Sequence, residues 1–205
     1  SPPSWATPFA KPPQAPVKAH SPSDLGGDKV LPGGAPQGAE NAKRMGTAVH
    51  RLLEVLPNAP QDQWDKIANR LIEADIRTAA CQEARAVLQR QELAHIFGPE
   101  SLAEVDITAH LPELNGDPIL GSIDRLLVSS SRVLAVDFKT NQIVPSKAAQ
   151  VPSGLLRQMG AYVAALSQIY PDLEIETAIL WTKTLELMPL PQDLVISALA
   201  DTSLT

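Results

Sequence analysis

The fold of this chain is decided by one stretch, Ile119-Leu-Gly-Ser-Ile-Asp-Arg-Leu-Leu-Val128, Ser129-Ser-Ser131 and Arg132-Val-Leu-Ala-Val-Asp-Phe-Lys139. Its two apolar runs are typical of buried strands, and the serines between them are typical of a turn. The stretch therefore predicts a β-hairpin. Each run contains an aspartate, Asp124 in the first and Asp137 in the second, so the hairpin would bring two carboxylates close together.

Asp137 and Lys139 are separated by one residue within the second run. Side chains in a strand alternate between the two faces of the sheet, so these two point the same way. A charged side chain on a core strand needs a counter-charge or a ligand, because burial of an unpaired charge is costly. The pair is therefore compatible with a catalytic centre, or with a partly buried salt bridge at a strand end.

The same residues suit a divalent cation. Neighbouring carboxylates repel each other unless a cation lies between them, and Mg²⁺ prefers hard oxygen ligands together with several waters. Asp124 and Asp137 fit this role, and the backbone carbonyl of Phe138 is a candidate third ligand. Lys139 beside such a cation would orient or deprotonate the attacking water, or stabilise charge in the transition state of phosphodiester cleavage.

Further candidates lie outside the hairpin. His50 is a candidate metal ligand on a predicted helix where Gly46, one turn earlier, leaves room for another group; the alternative is a surface or packed histidine. Gln158 and Tyr162 share one helix face, where an amide and a phenol can hydrogen-bond a phosphate or a water. The alternative is a tyrosine at the edge of the core beside a solvated glutamine. Glu104 is a candidate for a second cation or a water, with a solvent-facing glutamate as the alternative.

The order of predicted elements indicates an α/β domain with a mixed sheet. Apolar residues at helical spacing predict three helices before the hairpin, and alternating residues predict a strand directly ahead of it. The predicted elements are helices over 39–56, 60–76 and 79–96, a strand over 102–110, the hairpin over 119–139, a helix over 154–170, and strands over 175–182 and 184–188.

Composition sets further limits. Residues 1–38 contain nine of the nineteen prolines, which predicts a disordered linker because such a segment buries little apolar surface. The single cysteine, Cys81, excludes an internal disulfide and an iron–sulfur cluster held by cysteines of this chain. No apolar run approaches the roughly 20 residues that span a bilayer. The expectation is a cytoplasmic protein without a membrane partner, and a net charge of −6 argues against diffuse attraction to nucleic acid.

Four motifs in order resemble the RecB-like branch of the PD-(D/E)XK nuclease superfamily. More closely, the region over about 40–190 looks like the C-terminal nuclease domain of an AddA-type helicase–nuclease subunit. The motifs are Gly46-x-x-x-His50, Gly121-Ser-Ile-Asp124-Arg, Val136-Asp137-Phe-Lys139-Thr and Gln158-Met-x-x-Tyr162.

The resemblance implies a restriction-endonuclease-like mixed central sheet flanked by helices, with an N-terminal helical segment, in a nuclease domain over 39–205. It implies an exonuclease-type enzyme that hydrolyses DNA with Mg²⁺, or with Mn²⁺ in its place. The implied metal ligands are His50, Asp124, Asp137 and the Phe138 carbonyl. The implied catalytic residues are Asp124, Asp137, Lys139, Gln158 and Tyr162.

Partners also follow from the resemblance. It implies DNA as substrate, a helicase domain upstream, and a partner subunit in a complex that processes double-strand breaks for recombinational repair. Two alternatives stay open: a non-catalytic module that docks DNA or a partner through a nuclease-like fold, and a metal-dependent hydrolase of small phosphoesters.

Overall fold

The computed structural model describes residues 19–31 and 38–202 of the chain. This part is an α/β domain in which a mixed five-stranded sheet is flanked by helices on both faces, a restriction-endonuclease-like arrangement. The predicted fold class is therefore confirmed. Within the described ranges, none of the helices is long and apolar enough to cross a membrane.

The N-terminal helical layer consists of α1 (Ala39–Val55), α2 (Trp64–Leu71) and α3 (Ala74–Leu88), followed by a 3-10 helix over Gln91–Phe97. Helix α1 agrees with the prediction over 39–56. It buries the apolar stripe of Val49, Leu52 and Leu53, and it packs against α3 on one face of the sheet.

The boundaries of the next two helices differ from the prediction. The predicted helix over 60–76 is interrupted, because Ile72 and Glu73 have extended backbones that separate α2 from α3. Ile72 is buried outside any helix, so its apolar side chain continued the stripe across the break. Arg77 donates two hydrogen bonds to the Ile72 carbonyl and stabilises this turn. The predicted helix over 79–96 ends at Leu88.

The sheet contains β1 (Ser101–His110), β2 (Pro118–Val128), β3 (Arg132–Lys139), β4 (Glu174–Trp181) and β5 (Glu186–Leu190), in that spatial order. The neighbours β3 and β4 are parallel, and the other neighbours are antiparallel. Helix α4 (Ser153–Ile169) makes the crossover between β3 and β4, and α5 (Gln192–Ala200) packs on it. The predicted hairpin, the strand directly ahead of it and the mixed sheet are confirmed.

Residues 19–31 differ from the linker predicted over 1–38, because they fold onto the sheet. Strand β2 pairs with β3 only over 125–128, which leaves the edge at 118–122 free. His20 fills this edge: its N–H donates to the Pro118 carbonyl at 2.8 Å, and its carbonyl accepts from Leu120 at 2.9 Å. Leu25 then enters the core at 3% exposure. The rest of the predicted linker, 1–18 and 32–37, lies outside the described residues.

Candidate active site

The candidate site lies where β2 and β3 diverge. Backbone pairing between these strands ends at Arg125 and Val136. At the next position, the side chain of Asp124 replaces the missing backbone partner, because its Oδ2 accepts a hydrogen bond of 2.5 Å from the Phe138 N–H. The divergence opens space between the strands, and side chains from both strands and from two helices reach into it.

His50 from α1 joins Asp124 at this point. Its Nδ1 lies 3.1 Å from Oδ1 of Asp124, and its ring packs edge-on against Phe138. Burial alone lowers the pKa of His50, but the hydrogen bond and the charge of Asp124 outweigh burial and raise it. For Asp124, burial raises the pKa, and the bond to His50 outweighs it, so the pKa is lowered. Both shifts favour a charged pair.

Gly46 allows α1 to approach the end of β3. A Cβ atom at Gly46 would lie 3.1 Å from Oγ1 of Thr140, the residue that follows Lys139. The room predicted at this glycine therefore accommodates the loop after β3. The close approach places His50, one helical turn later, against the strand ends.

Asp137, Lys139 and Gln158 form a second, connected group. Asp137 and Lys139 point the same way, as strand alternation predicts, and form an ion pair through Oδ2 and Nζ. Gln158 of α4 donates to Oδ1 of Asp137 at 2.6 Å and accepts from Lys139 Nζ at 3.3 Å. Burial raises the pKa of Asp137, and the charge of Lys139 opposes that shift.

Tyr162 anchors Gln158. The amide of Gln158 donates to Oη of Tyr162 at 2.9 Å, and the phenol donates to the Ser122 carbonyl of β2 at 2.7 Å. Both side chains are buried, so Gln158 is not the solvated amide of the alternative interpretation. Burial, with the nearby charge of Asp137, raises the pKa of Tyr162, so the phenol is neutral and serves as a hydrogen-bond donor.

Glu104 lies beside this group rather than within it. It is exposed on β1, accepts a hydrogen bond from Ser122 at 3.3 Å, and lines a cavity of about 350 Å³ with His50 and Asp124. Partial desolvation of its carboxyl, followed by the charge of Asp124, raises the pKa of Glu104. Glu54 lines the same cavity, although it was not identified as a site residue from the sequence. Its signal was available, since Glu54 is four residues after His50 on one helix face.

Arg125 was also missed, although it follows Asp124 in an apolar strand. Its guanidinium is buried, donates to the Leu53 carbonyl at 2.6 Å, and lies over the ring of Phe97. Leu53 is in the last turn of α1, where carbonyls lack helical partners. Arg125 therefore attaches the end of α1 to β2, which fixes the helix that carries His50.

A bound cation needs several ligand atoms gathered around one point. Among residues 19–31 and 38–202, no three His, Cys, Asp or Glu side chains are gathered into a metal-binding group. The acids bind protein partners instead: Asp124 binds His50 and the Phe138 N–H, and Asp137 binds Lys139 and Gln158. The donor set nevertheless fits a hard divalent cation, because two carboxylates and an imidazole lie together at the strand ends. Phe138 directs its N–H to Asp124, and its carbonyl stays a predicted ligand.

The comparison with known families agrees with this geometry. The model of the PD-(D/E)XK nuclease superfamily matches residues 25–187, which contain every site residue described above. The chain therefore belongs to the PD-(D/E)XK nuclease superfamily, whose members are generally metal-dependent nucleases. The match begins at Leu25, the first core residue of the N-terminal segment. The comparison with curated proteins gives no match.

Proposed function

We propose that this chain is a Mg²⁺-dependent deoxyribonuclease domain of the RecB-like branch, which hydrolyses DNA phosphodiester bonds. The observation that supports it most directly is the connected group of Asp137, Lys139 and Gln158 at the divergent strand ends, beside the pair of Asp124 and His50. An acid pair, an ammonium and an imidazole, supplied by α1, β2 and β3, lie together at the divergent strand ends. A purely structural salt bridge needs only two of these groups.

In this proposal His50, Asp124, Asp137 and the Phe138 carbonyl would hold the cation. When bound, a divalent cation lowers the pKa of water and offsets the negative charge of the phosphate. Glu104, which borders the same cavity, is proposed for a second cation or a water.

The protein side chains then have separate tasks. Lys139 keeps its ammonium beside Asp137 and Gln158, where it orients the attacking water or stabilises negative charge on the phosphate. Gln158 fixes both Lys139 and Asp137, because its amide contacts each of them. The neutral phenol of Tyr162 fixes Gln158 in turn and takes no proton from the reaction.

The biological setting is part of the proposal. We infer that the domain acts as an exonuclease at double-strand breaks in the cytoplasm, joined to an upstream helicase and a partner subunit of an AddA-type complex. The net charge of −6 supports this, since an acidic domain gains little from diffuse attraction to DNA. A tethered motor would supply DNA at high local concentration.

The experiment measures degradation of linear single- and double-stranded DNA by the purified chain. Cleavage is expected with Mg²⁺ or Mn²⁺ and not with EDTA. Lys139→Ala is expected to lower the rate at least about a thousandfold, because catalytic groups act as a unit. Lys147→Ala, which removes an exposed lysine from the loop after β3, is the matched control and should retain the wild-type rate.

Other outcomes separate the alternatives. Cleavage that persists in EDTA would contradict the metal mechanism. DNA binding without turnover, unaffected by Lys139→Ala, would indicate the non-catalytic docking module. Turnover of nucleotides but not of polymers would indicate a hydrolase of small phosphoesters.

A further inference from the structure

A buried carboxylate outside the candidate site connects the helical layer to the strand that carries Lys139. Glu83 of α3 has a side chain that is only 6% exposed. It accepts hydrogen bonds from the Thr182 hydroxyl at 2.5 Å and from Lys183 Nζ at 2.6 Å. Burial of a carboxylate is costly unless it is paired and hydrogen-bonded, and Glu83 meets both conditions.

Thr182 continues the connection to Lys139. It follows the last residue of β4, and its backbone N–H donates to the Lys139 carbonyl at 3.0 Å. The hydroxyl lies 3.2 Å from the same carbonyl, but its single proton is directed to the closer and charged Glu83. Thr182 therefore binds the Lys139 backbone through its own N–H, and its side chain binds Glu83 of α3.

This connection joins the two sources of catalytic side chains. Helix α3 packs against α1, which carries His50, and both helices share a core cluster with Phe138 of β3. Lys139 comes from the next position of β3. The contact between Glu83 and Thr182 therefore fixes the end of β3 relative to the helical layer.

We propose that Glu83 and Thr182 are positioning residues that hold the Lys139 backbone, and through it the ammonium, at the distance from Asp137 and Gln158 that cleavage requires. The proposal rests on the nuclease function proposed above. Neither residue lines the cavity at His50 and Asp124, so both act through Lys139. A purely structural role would lower stability and leave the turnover of folded protein unchanged.

Two substitutions at Thr182 and a control substitution on β4 test this. Thr182→Val removes the hydroxyl and keeps the branched shape, and Thr182→Ser keeps the hydroxyl. Thr177→Val is the matched control, because Thr177 is a buried threonine of β4 whose hydroxyl has no hydrogen-bond partner. With DNA and Mg²⁺, Thr182→Val is expected to lower kcat about tenfold or more and change KM less than about twofold. The other two variants should stay within about twofold of the wild-type kcat.

Glu83→Ala tests whether Glu83 and Thr182 act through the same contact. It is expected to lower kcat about as much as Thr182→Val does, and the double variant should be no slower than the slower single variant. Additive losses, a failure of Thr182→Ser to restore kcat, or an equal loss in Thr177→Val would each overturn the proposal. Thermal unfolding identifies the temperature at which all variants are folded.

Amide hydrogen exchange separates this proposal from the nuclease assignment. In Thr182→Val the amide of residue 182, corrected for its intrinsic rate, should exchange about tenfold faster than in Thr182→Ser, since the strand end opens more often. If the wild-type chain does not cleave DNA, the proposed function fails, and this exchange difference alone decides whether Glu83 and Thr182 hold Lys139. Equal exchange rates in the two variants would overturn the positioning proposal.

Discussion

Asp124 accepts a hydrogen bond from the Phe138 N–H at 2.5 Å, so a side chain of β2 binds the backbone of β3 directly beyond their last ladder pair. The carboxylate therefore serves two purposes. One oxygen stabilises the divergent strand ends, and the other contacts His50 and is available to a ligand. A residue with both purposes should show separable effects on stability and on activity.

Asp124→Asn and Asp124→Ala separate these effects. Both are expected to abolish Mg²⁺-dependent cleavage, because neither supplies a carboxylate. The amide oxygen of Asn can still accept from the Phe138 N–H, whereas Ala leaves that buried donor unpaired. Asp124→Ala should therefore be less stable than Asp124→Asn by about 1–3 kcal/mol in urea unfolding without Mg²⁺. Equal stabilities would mean that the bond to Phe138 contributes nothing to the fold.

The pair of His50 and Asp124 predicts a pH dependence of stability. The pKa of His50 is raised above its ordinary 6.5, so its contribution is complete below that value and is lost as the pH rises through the raised pKa. The pKa of Asp124 is lowered from 3.8, so its contribution is lost only as the pH falls through the lowered pKa. Without Mg²⁺, the pair should stabilise the fold most at a pH between 3.8 and 6.5.

The measurement is urea unfolding at about pH 5.5 and about pH 8.5. From the lower to the higher pH, the free energy of unfolding of the wild-type chain should fall by about 0.5–1 kcal/mol more than that of His50→Gln. A partly exposed ion pair contributes on that scale. Arg51→Gln, at the next position of α1, is the control and should follow the wild type. A pH dependence that is unchanged in His50→Gln would contradict the charged pair.

Mg²⁺ binding should show the opposite trend with pH. A cation held by His50 needs the neutral imidazole, so proton and cation compete for this side chain. The rise in melting temperature caused by Mg²⁺ is therefore expected to grow as the pH increases through the pKa of His50. In His50→Gln the rise should vary less with pH. A rise that is equal at all pH values in both proteins would exclude His50 as a ligand.

Local sequence patterns were sufficient for much of the site. Strand alternation placed Asp137 and Lys139 on one face, and the spacing of four residues placed Gln158 and Tyr162 on one face of α4. These predictions succeed because each relationship is fixed by the geometry of a single element. The hairpin was equally predictable, since a short serine turn leaves its two strands few ways to pair.

Relationships across the fold were not predictable in this way. Glu83 and Thr182 are 99 residues apart and come together only through packing of α3 on the sheet. Leu25 is an isolated apolar residue among glycines and prolines, so no periodicity marks it as a core residue. Ile72 caused the opposite error, a helix predicted past its true end. Its side chain is buried and continues the apolar spacing of α2, although the helix ends at Leu71.

Gln158 and Tyr162 should have graded effects on cleavage. Gln158→Leu removes the amide that contacts Asp137 and Lys139, so the rate is expected to fall about a hundredfold. Tyr162→Phe removes only the hydroxyl, which accepts from Gln158 and donates to the Ser122 carbonyl. A loss of about threefold to tenfold in rate is expected, with about 1 kcal/mol lost in stability. Single-turnover cleavage with excess enzyme measures both. A larger loss in Tyr162→Phe would indicate a direct contact of the phenol with substrate.

The contacts of residues 19–31 with the core indicate that the folded unit includes this segment. Leu25→Ala removes a core side chain that is 3% exposed and is expected to cost about 2–4 kcal/mol in urea unfolding. Val30→Ala, on the same segment but 41% exposed, is the matched control and should change stability by less than about 0.5 kcal/mol.

Removal of residues 1–31 should cost at least as much as Leu25→Ala, because it also leaves the edge of β2 at 118–122 without its partner His20. A shortened chain that begins at residue 19 keeps this segment and provides the comparison. If Leu25→Ala and Val30→Ala were equally stable, the segment would contribute nothing to the core, and the folded unit would begin at α1. A loss of the expected size would show that residues 19–31 are part of the nuclease fold, where they cover β2, the strand that carries Asp124.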